Sequence, residues 1–279
     1  MACYNFLCMM NPENIKLIAS DIDDTLIPGG ELSISKRTKE ALLSAQRKGI
    51  KVLIVTGRHY KYLPKTLFDD LPMDVIGTIN GACLTDREGN TIAKFPMSEE
   101  VMNTITNIAI KHDLGLGFKF EDAIVTYSNH DLFVSKYLRK GLESDSKIID
   151  DTKDRKHHLE FGLPLGMFIV GVEDDVIEEY RKALPDLVFS YSYTRGCDVY
   201  LRSVSKVTAV EKVLEMEGLT WNNVIAFGDA ANDTPMIQKA GIGVAMGNGK
   251  DDVLEVADIV APDTRNDGVA QVLEELKLA

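Results

Sequence analysis

Lys16-Leu-Ile-Ala-Ser-Asp21-Ile-Asp23-Asp24-Thr25-Leu26 is the stretch that decides the fold. The apolar run 15–19 has the length of a buried strand. It ends in Asp21, Asp23 and Asp24, followed by Thr25 and a Pro28-Gly29-Gly30 breaker. In an open α/β sheet, ligands sit at the carboxyl ends of strands. Residues i and i+2 of an extended chain share a face, so Asp21 and Asp23 are expected to converge on one small hard cation, with Ile22 turned into the core. Magnesium suits such a site, because it is held by one or two carboxylates plus substrate oxygens and water. Without a cation or proton the carboxylates repel, more strongly as water is excluded. Of two neighbouring carboxyls, one can act as nucleophile and the other as acid and base. A calcium loop fails on spacing, since Leu26 stands where glycine is required. A plain acidic turn remains the competing reading of this stretch taken alone.

Outward from it, Ser35 caps a helix over 33–48 whose apolar face carries Thr38, Leu42 and Ala45, and Gly49 stops it. A second strand, 50–55, ends in Thr56-Gly57-Arg58. Strand, helix, strand makes the two strands parallel and brings Thr56 to the same sheet edge as Asp21. There a hydroxyl and a glycine N–H suit a phosphate, although a simple strand-end turn explains Thr56 alone equally well. A third strand, 75–79, ends in Asn80-Gly81. From residue 85 the texture changes. A hairpin over 84–95 turns at Gly89-Asn90, and a helix over 98–112 follows. Strands are expected at 115–120, 123–127, 167–172, 188–193 and 198–202, with helices at 131–140 and 174–184 and a polar loop or short helix over 144–158. Strands joined without helices indicate an antiparallel α+β segment. The α/β pattern resumes with a helix opening at Ser205-Lys206, then strand 224–227 ending in Gly228-Asp229-Ala-Ala-Asn232-Asp233, helix 234–240, strands 243–246 and 259–260, and helix 268–276. The expected architecture is α/β: a Rossmann-like parallel sheet built from 14–85 and 201–279, an inserted α+β domain over 86–200, and a tail over 1–13.

At 279 residues the chain is long enough for one large or two medium domains. The 45% apolar and 27% charged fractions are those of an ordinary globular protein. A net charge of −12 argues against nucleic acid and anionic membrane surfaces, which need basic patches. No apolar run approaches the ~20 residues that span a bilayer. Cys3, Cys8, Cys83 and Cys197 have no metal or disulfide spacing and are read as reduced thiols of a cytoplasmic protein, a monomer or small homo-oligomer. His157-His158, in a charged stretch without metal-ligand spacing, is expected to be solvated surface.

The strand ends and one lysine form a constellation. Asp229 supplies a third carboxylate, Asp233 stands behind it, and Lys206 neutralises a phosphate and offsets the acids. Asp229 and Asp233 also suit helix caps, and Lys206 alone suits a surface helix. The order Asp21-Ile-Asp23-Asp24-Thr25-Leu26, Thr56-Gly57-Arg58, Lys206, Gly228-Asp229-Ala-Ala-Asn232-Asp233 resembles the four motifs of the haloacid dehalogenase-like phosphohydrolases. With the insert between the second and third motifs, it is similar to the Cof-type sugar-phosphatase branch, whose large α/β cap occupies that place. Asn80-Gly81-Ala82, Gly243-Val-Ala-Met-Gly-Asn248 and Asp267-Gly-Val-Ala270 match as well.

The resemblance implies a phosphatase of small phosphomonoesters, sugar phosphates first. In it, Asp21 is the nucleophile and forms an aspartyl-phosphate. Asp23 protonates the leaving alcohol and then activates water. Mg2+ is held by Asp21, the backbone carbonyl of Asp23, and Asp229, supported by Asp233. Thr56, Gly57, Lys206 and Asn232 hold the phosphoryl oxygens. Asp24 and Val207 stand where the family usually has glycine. A phosphomutase or phosphotransferase on the same core, and a non-catalytic module that binds a phosphorylated ligand, are the alternatives; the second aspartate and the lysine argue against the non-catalytic module.

Overall fold

The computed structural model describes residues 11–137, 148–192 and 196–279. The first half of the chain runs β1 (Leu17–Ser20), α1 (Lys36–Arg47), β2 (Lys51–Val55), α2 (Lys65–Asp70), β3 (Ile76–Thr78), β4 (Cys83–Thr85), β5 (Thr91–Lys94), α3 (Glu99–Lys111), β6 (Gly115–Lys119), β7 (Ile124–Ser128) and α4 (His130–Tyr137). It continues with β8 (Ile149–Asp150), α5 (His157–Phe161), β9 (Gly166–Val170), α6 (Asp174–Ala183), β10 (Leu187–Ser192), β11 (Gly196–Leu201) and α7 (Lys206–Glu217). The last part is β12 (Val224–Gly228), α8 (Thr234–Lys239), β13 (Ile242–Ala245), α9 (Asp251–Leu254), β14 (Ile259–Val260) and α10 (Gly268–Glu275).

The larger sheet has the order β14-β13-β12-β1-β2-β3-β4-β5. Its strands are parallel from β14 to β3, and the β4–β5 hairpin extends it antiparallel. Both faces are covered, which is why its strands read as continuous apolar runs. Alternate residues serve opposite faces. Ile18, Ile54, Ile225 and Phe227 pack with Leu42 of α1 and Leu273 of α10. Leu17, Ala19, Leu53, Val55 and Ala226 pack with Val210 of α7 and Met236 of α8. Ser35 caps α1 as expected, its side chain accepting from the Thr38 amide. The carboxyl ends of β1, β2 and β12 therefore share one edge of the sheet.

A second sheet, ordered β10-β11-β9-β6-β7-β8, is antiparallel except for the β7–β8 pair. One face, with Phe118, Met167, Ile169, Cys197 and Val199, packs on Ile105 of α3 and Ile177 of α6. The strands and helices anticipated in this segment are present. The expected boundary at residue 86 is corrected by the sheet: it cuts the β4–β5 hairpin, whose second strand pairs Lys94 with Cys83 inside the larger sheet. A hairpin after a parallel strand looks like a change of domain in sequence, yet it can add to the edge of the same sheet. Strand β8 and helix α5 fill the stretch read as loop or short helix. The tail up to residue 10, the end of the helix expected to reach residue 140, residues 144–147 of the polar stretch and Tyr193 to Arg195 lie outside the described residues.

Leu42 is fully buried between α1 and the sheet. Replacing it by alanine is expected to lower unfolding stability by about 2–5 kcal/mol, read as a lower urea midpoint with an unchanged slope.

Candidate active site

β1 hands over to an acidic turn that is closed by its own backbone. The Asp21 amide continues the ladder to the Phe227 carbonyl at 3.2 Å. The amides of Leu26 and Ile27 then both donate to the Ile22 carbonyl, and the Asp24 amide donates to the Ile27 carbonyl. Asp24 adopts a φ of 57°, the left-handed region that glycine and, among other residues, Asp and Asn tolerate. Its Oδ1 accepts from the Gly29 amide at 2.7 Å. The departure from the family glycine is thereby accommodated, with the extra carboxylate engaged by the turn. Two more residues clamp the turn: Asn248 Nδ2 donates to the Asp24 carbonyl at 2.7 Å, and Thr264 Oγ1 donates to the Thr25 carbonyl at 2.8 Å.

Lys206 is the first residue of α7 and is fully buried. Its Nζ lies 2.7 Å from Asp21 Oδ1 and 2.7 Å from Asp233 Oδ1. The other oxygen of Asp233, Oδ2, accepts from the amides of Asp229 and Ala230 at 3.2 and 3.1 Å. Thr25 Oγ1 donates to Asp229 Oδ1 at 2.8 Å and ties the first acidic turn to the β12 turn. Two glycines permit this packing. A Cβ at Gly228 would sit 2.3 Å from that of Asp233. At Gly81, with φ +87°, it would sit 2.2 Å from the Ser205 carbonyl oxygen at the start of α7.

Asp21, Asp229 and Asp233 each offer an oxygen, and these atoms lie within 4.8 Å of one another. Asp23 does not join them, contrary to the expectation that its carboxylate converges with that of Asp21. The strand has ended by Ser20, and the turn after Ile22 sends the half-exposed Asp23 side chain to Arg58. Arg58 Nε donates to Asp23 Oδ2 at 2.8 Å, and a terminal guanidinium nitrogen donates to Oδ1 at 2.5 Å. Extended geometry fixes alternation only while the chain stays extended.

The buried charges govern protonation. Burial pushes the Asp21 carboxyl up to about 7 against the pull of Lys206. Burial, with the charges of Asp233 and Asp21, pushes Asp229 up to about 8. Burial works against the Lys206 ammonium, but Asp21 and Asp233 outweigh it and hold its pKa above the usual lysine value. Three carboxylates around one ammonium leave an excess of negative charge, and their hard oxygens match a small divalent cation.

Thr56 directly follows β2, buried, and its Oγ1 accepts from the Arg58 amide at 3.2 Å. The turn role and a ligand role are compatible, because the hydroxyl proton is a separate donor. Asn80, at φ 53°, joins the second and fourth motifs: its amide donates to the Thr56 carbonyl, and its Oδ1 accepts from Asn232 Nδ2 at 3.0 Å. Thr56, Gly57 and Asn232 thus border one loop cluster. Arg58, Asn80 and Asn248 were legible only as parts of matching motifs; their hydrogen-bonding roles needed coordinates.

The second sheet meets this cluster through residues that no motif marked. Lys119 of β6 is almost completely buried; its Nζ donates to the Gly57 carbonyl at 2.8 Å and pairs with Asp198 of β11. His59 Nε2 bonds the Phe120 carbonyl at 2.9 Å, its Nδ1 accepts from the Lys61 amide, and burial holds its pKa down at about 4. The His157-His158 expectation is corrected. His157 is a mostly buried residue of α5 bonded to Asp122 at 2.9 Å, and His158 Nδ1 bonds the Tyr127 hydroxyl at 2.9 Å. Aromatic packing of His157 against Phe120 and Phe161 draws it from solvent.

The chain matches a family model for haloacid dehalogenase-like hydrolases over residues 18–273. It is 31% identical over 266 residues to the 5-amino-6-(5-phospho-D-ribitylamino)uracil phosphatase YcsE of Bacillus subtilis (strain 168), covering 93% of this chain and 95% of that one. The pyridoxal phosphate phosphatase YbhA of Escherichia coli (strain K12) is 26% identical over 275 residues, covering 92% and 97%. The solved structure of the HAD subclass IIB sugar phosphatase BT4131 superposes with a TM-score of 0.83 at 25% identity, covering 95% of this chain and all of that one.

Asp21 and Asp229 bind protons more tightly in the folded than in the unfolded chain, so their contribution to stability is fully present below the ordinary carboxylate value of 3.8 and is lost progressively as pH rises from there through about 7 to 8. In chelator, the melting temperature is expected to fall across that window. Added MgCl2 should restore it most at the alkaline end, where the carboxylates no longer hold protons. A melting temperature whose pH dependence is identical in MgCl2 and in chelator would contradict the cation assignment.

Proposed function

Because this chain belongs to the haloacid dehalogenase-like hydrolase family, as one of its Cof-type phosphatases, we propose that it hydrolyses small phosphomonoesters with Mg2+ through an aspartyl-phosphate on Asp21. The observation that carries this reading is the buried Lys206 ammonium, 2.7 Å from both Asp21 and Asp233, with Asp229 alongside. Phosphoryl transfer demands positioning and charge neutralisation above all. Asp21 and Asp229, with the backbone carbonyl of Asp23, would hold the metal. Bound there, Mg2+ masks the repulsion between an anionic nucleophile and a phosphate dianion.

In the first step an Asp21 carboxylate oxygen forms a bond to phosphorus as the ester P–O bond breaks. Asp23, turned from Arg58 and protonated from solvent, gives that proton to the departing alkoxide oxygen and is left as the carboxylate. In the second step Asp23 takes a proton from water, whose oxygen attacks phosphorus and displaces the Asp21 carboxylate. Lys206 stays charged throughout, held by Asp233 and by Asp21 or, in the intermediate, by the phosphoryl oxygens whose charge it offsets. The Thr56 hydroxyl, the Gly57 amide and the Asn232 amide would donate to those oxygens. Asp233 is saturated by Lys206 and two backbone amides, so it orients the others rather than reacting. The second sheet covers the site, excludes water from the first step and shapes specificity.

Sugar phosphates are the first substrate class. The names of the relatives, a ribitylaminouracil phosphatase, a pyridoxal phosphate phosphatase and a sugar phosphatase, widen it to cofactor and nucleotide-type phosphates of similar size. Phosphate release from a panel of such esters is expected to require MgCl2 and to fall at least ~100-fold in Asp21→Asn while the variant keeps its fold. More than a few per cent residual turnover, corrected for deamidation, would sink the nucleophile assignment. Isomerised ester in place of free phosphate would make the enzyme a phosphomutase.

A further inference from the structure

We infer that Asp198, fixed by Lys119, selects the leaving part of the substrate by accepting a hydrogen bond from a hydroxyl of a polyhydroxylated phosphomonoester and by repelling a second anion beside the ester. The inference rests on the phosphatase reading and adds to it the group that discriminates among esters.

The register of the second sheet places these side chains. Lys119 pairs with Gly166, and Asp198 pairs with Phe168, two residues along the same strand. Both therefore lie on one face, opposite the face that packs on α3 and α6. Tyr200 follows two residues after Asp198 on that face. The face is turned to the larger sheet: a Cβ at Gly166 would come 2.6 Å from Ile79 Cγ2, and Lys119 donates to the Gly57 carbonyl. A Cβ at Gly57 would lie 3.3 Å from Asp198 Oδ2, which puts this carboxylate over the loop that begins at Thr56. Tyr200 is buried on that face. Burial lifts its hydroxyl to about 12, and the charges of Lys206 and Asp233 act on it.

Asp198 is held on one side only. Its Oδ1 is committed to Lys119, whereas Oδ2 accepts no hydrogen bond from the described residues. The side chain keeps 27% exposure beside a lysine that keeps 2%. Lys119 is spent on Asp198 and the Gly57 carbonyl, so it adds no free positive charge to attract an anion. What remains at this position is an oriented, anionic acceptor. Such a group favours a hydroxyl donor through a charge-assisted hydrogen bond and disfavours a phosphate or carboxylate.

The test compares kcat/KM for glucose 6-phosphate, phenyl phosphate and fructose 1,6-bisphosphate in the wild type and Asp198→Asn. The ratio of glucose 6-phosphate to phenyl phosphate is expected to fall ~10-fold or more, the size of one lost charge-assisted hydrogen bond, while the bisphosphate gains relative to both. Equal losses on all three esters, or unchanged ratios, would overturn the inference. Because Asp198→Asn strands a buried ammonium, Lys119→Gln/Asp198→Asn replaces the pair by a neutral one of similar shape and must show the same change in ratios. In an Asp21→Asn background, titration reads binding alone. There, added Asp198→Asn should weaken glucose 6-phosphate against phenyl phosphate, and equal weakening would overturn the inference. Wild type that releases phosphate neither from these esters nor from the wider panel refutes the phosphatase reading, and the titration still decides the role of Asp198.

Discussion

The structure depends on one buried cation between two buried carboxylates. An ammonium taken out of water without partners would be destabilising by several kcal/mol, and the same holds for each carboxylate. Lys206 meets Asp21 and Asp233 at equal distances, and Asp233 is further saturated by two backbone amides. The three residues belong to three strand–helix junctions far apart in sequence. Their charges are satisfied only when β1, β12 and α7 are docked together, so the site and the sheet edge form as one unit. The two close-packed glycines, Gly81 and Gly228, lie where this docking leaves no room for a Cβ.

That arrangement is deliberately incomplete in charge. One ammonium cannot balance Asp21, Asp229 and Asp233, and burial raises the proton affinity of Asp21 and Asp229. The fold thereby leaves a cluster of hard anionic oxygens suited to a small cation, which the proposed attack of a carboxylate on a phosphate dianion requires. Asp23 is treated differently by the same turn. It is carried to the rim, where Arg58 takes both oxygens, outside the crowded carboxylate group. Two aspartates separated by a single residue thus receive different environments, as the proposed division between nucleophile and acid–base group requires.

The second sheet uses its two faces for different purposes. One is apolar and holds its helices. The other carries Lys119, Asp198 and Tyr200 toward the loops of the larger sheet, and His59 bonds across to Phe120. On the proposed mechanism, chemistry common to any phosphate ester is concentrated in the larger sheet, and the inserted sheet supplies the side chains that would meet the rest of a substrate.

Much of this was legible in the sequence because it is local. Apolar runs of strand length, Ser35 as a helix cap and the acidic, Thr-Gly and Gly-Asp strand ends all act through near neighbours, and parallel connectivity brings those ends to one edge. The four-motif order carried the family and named the residues expected at the site. Three things were decided by tertiary structure. The β4–β5 hairpin joined the larger sheet, because edge pairing is a long-range choice that hairpin signals do not encode. Asp23 parted from Asp21, because side-chain alternation lasts only as long as the strand. Lys119, Asp198 and the pair His157 and Asp122 acquired partners, because burial and register across strands distant in sequence, not residue type, turned charged side chains inward. Sequence by itself determined which groups reach the sheet edge; tertiary structure decided which of them touch, since contact depends on where the chain turns and on what packs against it.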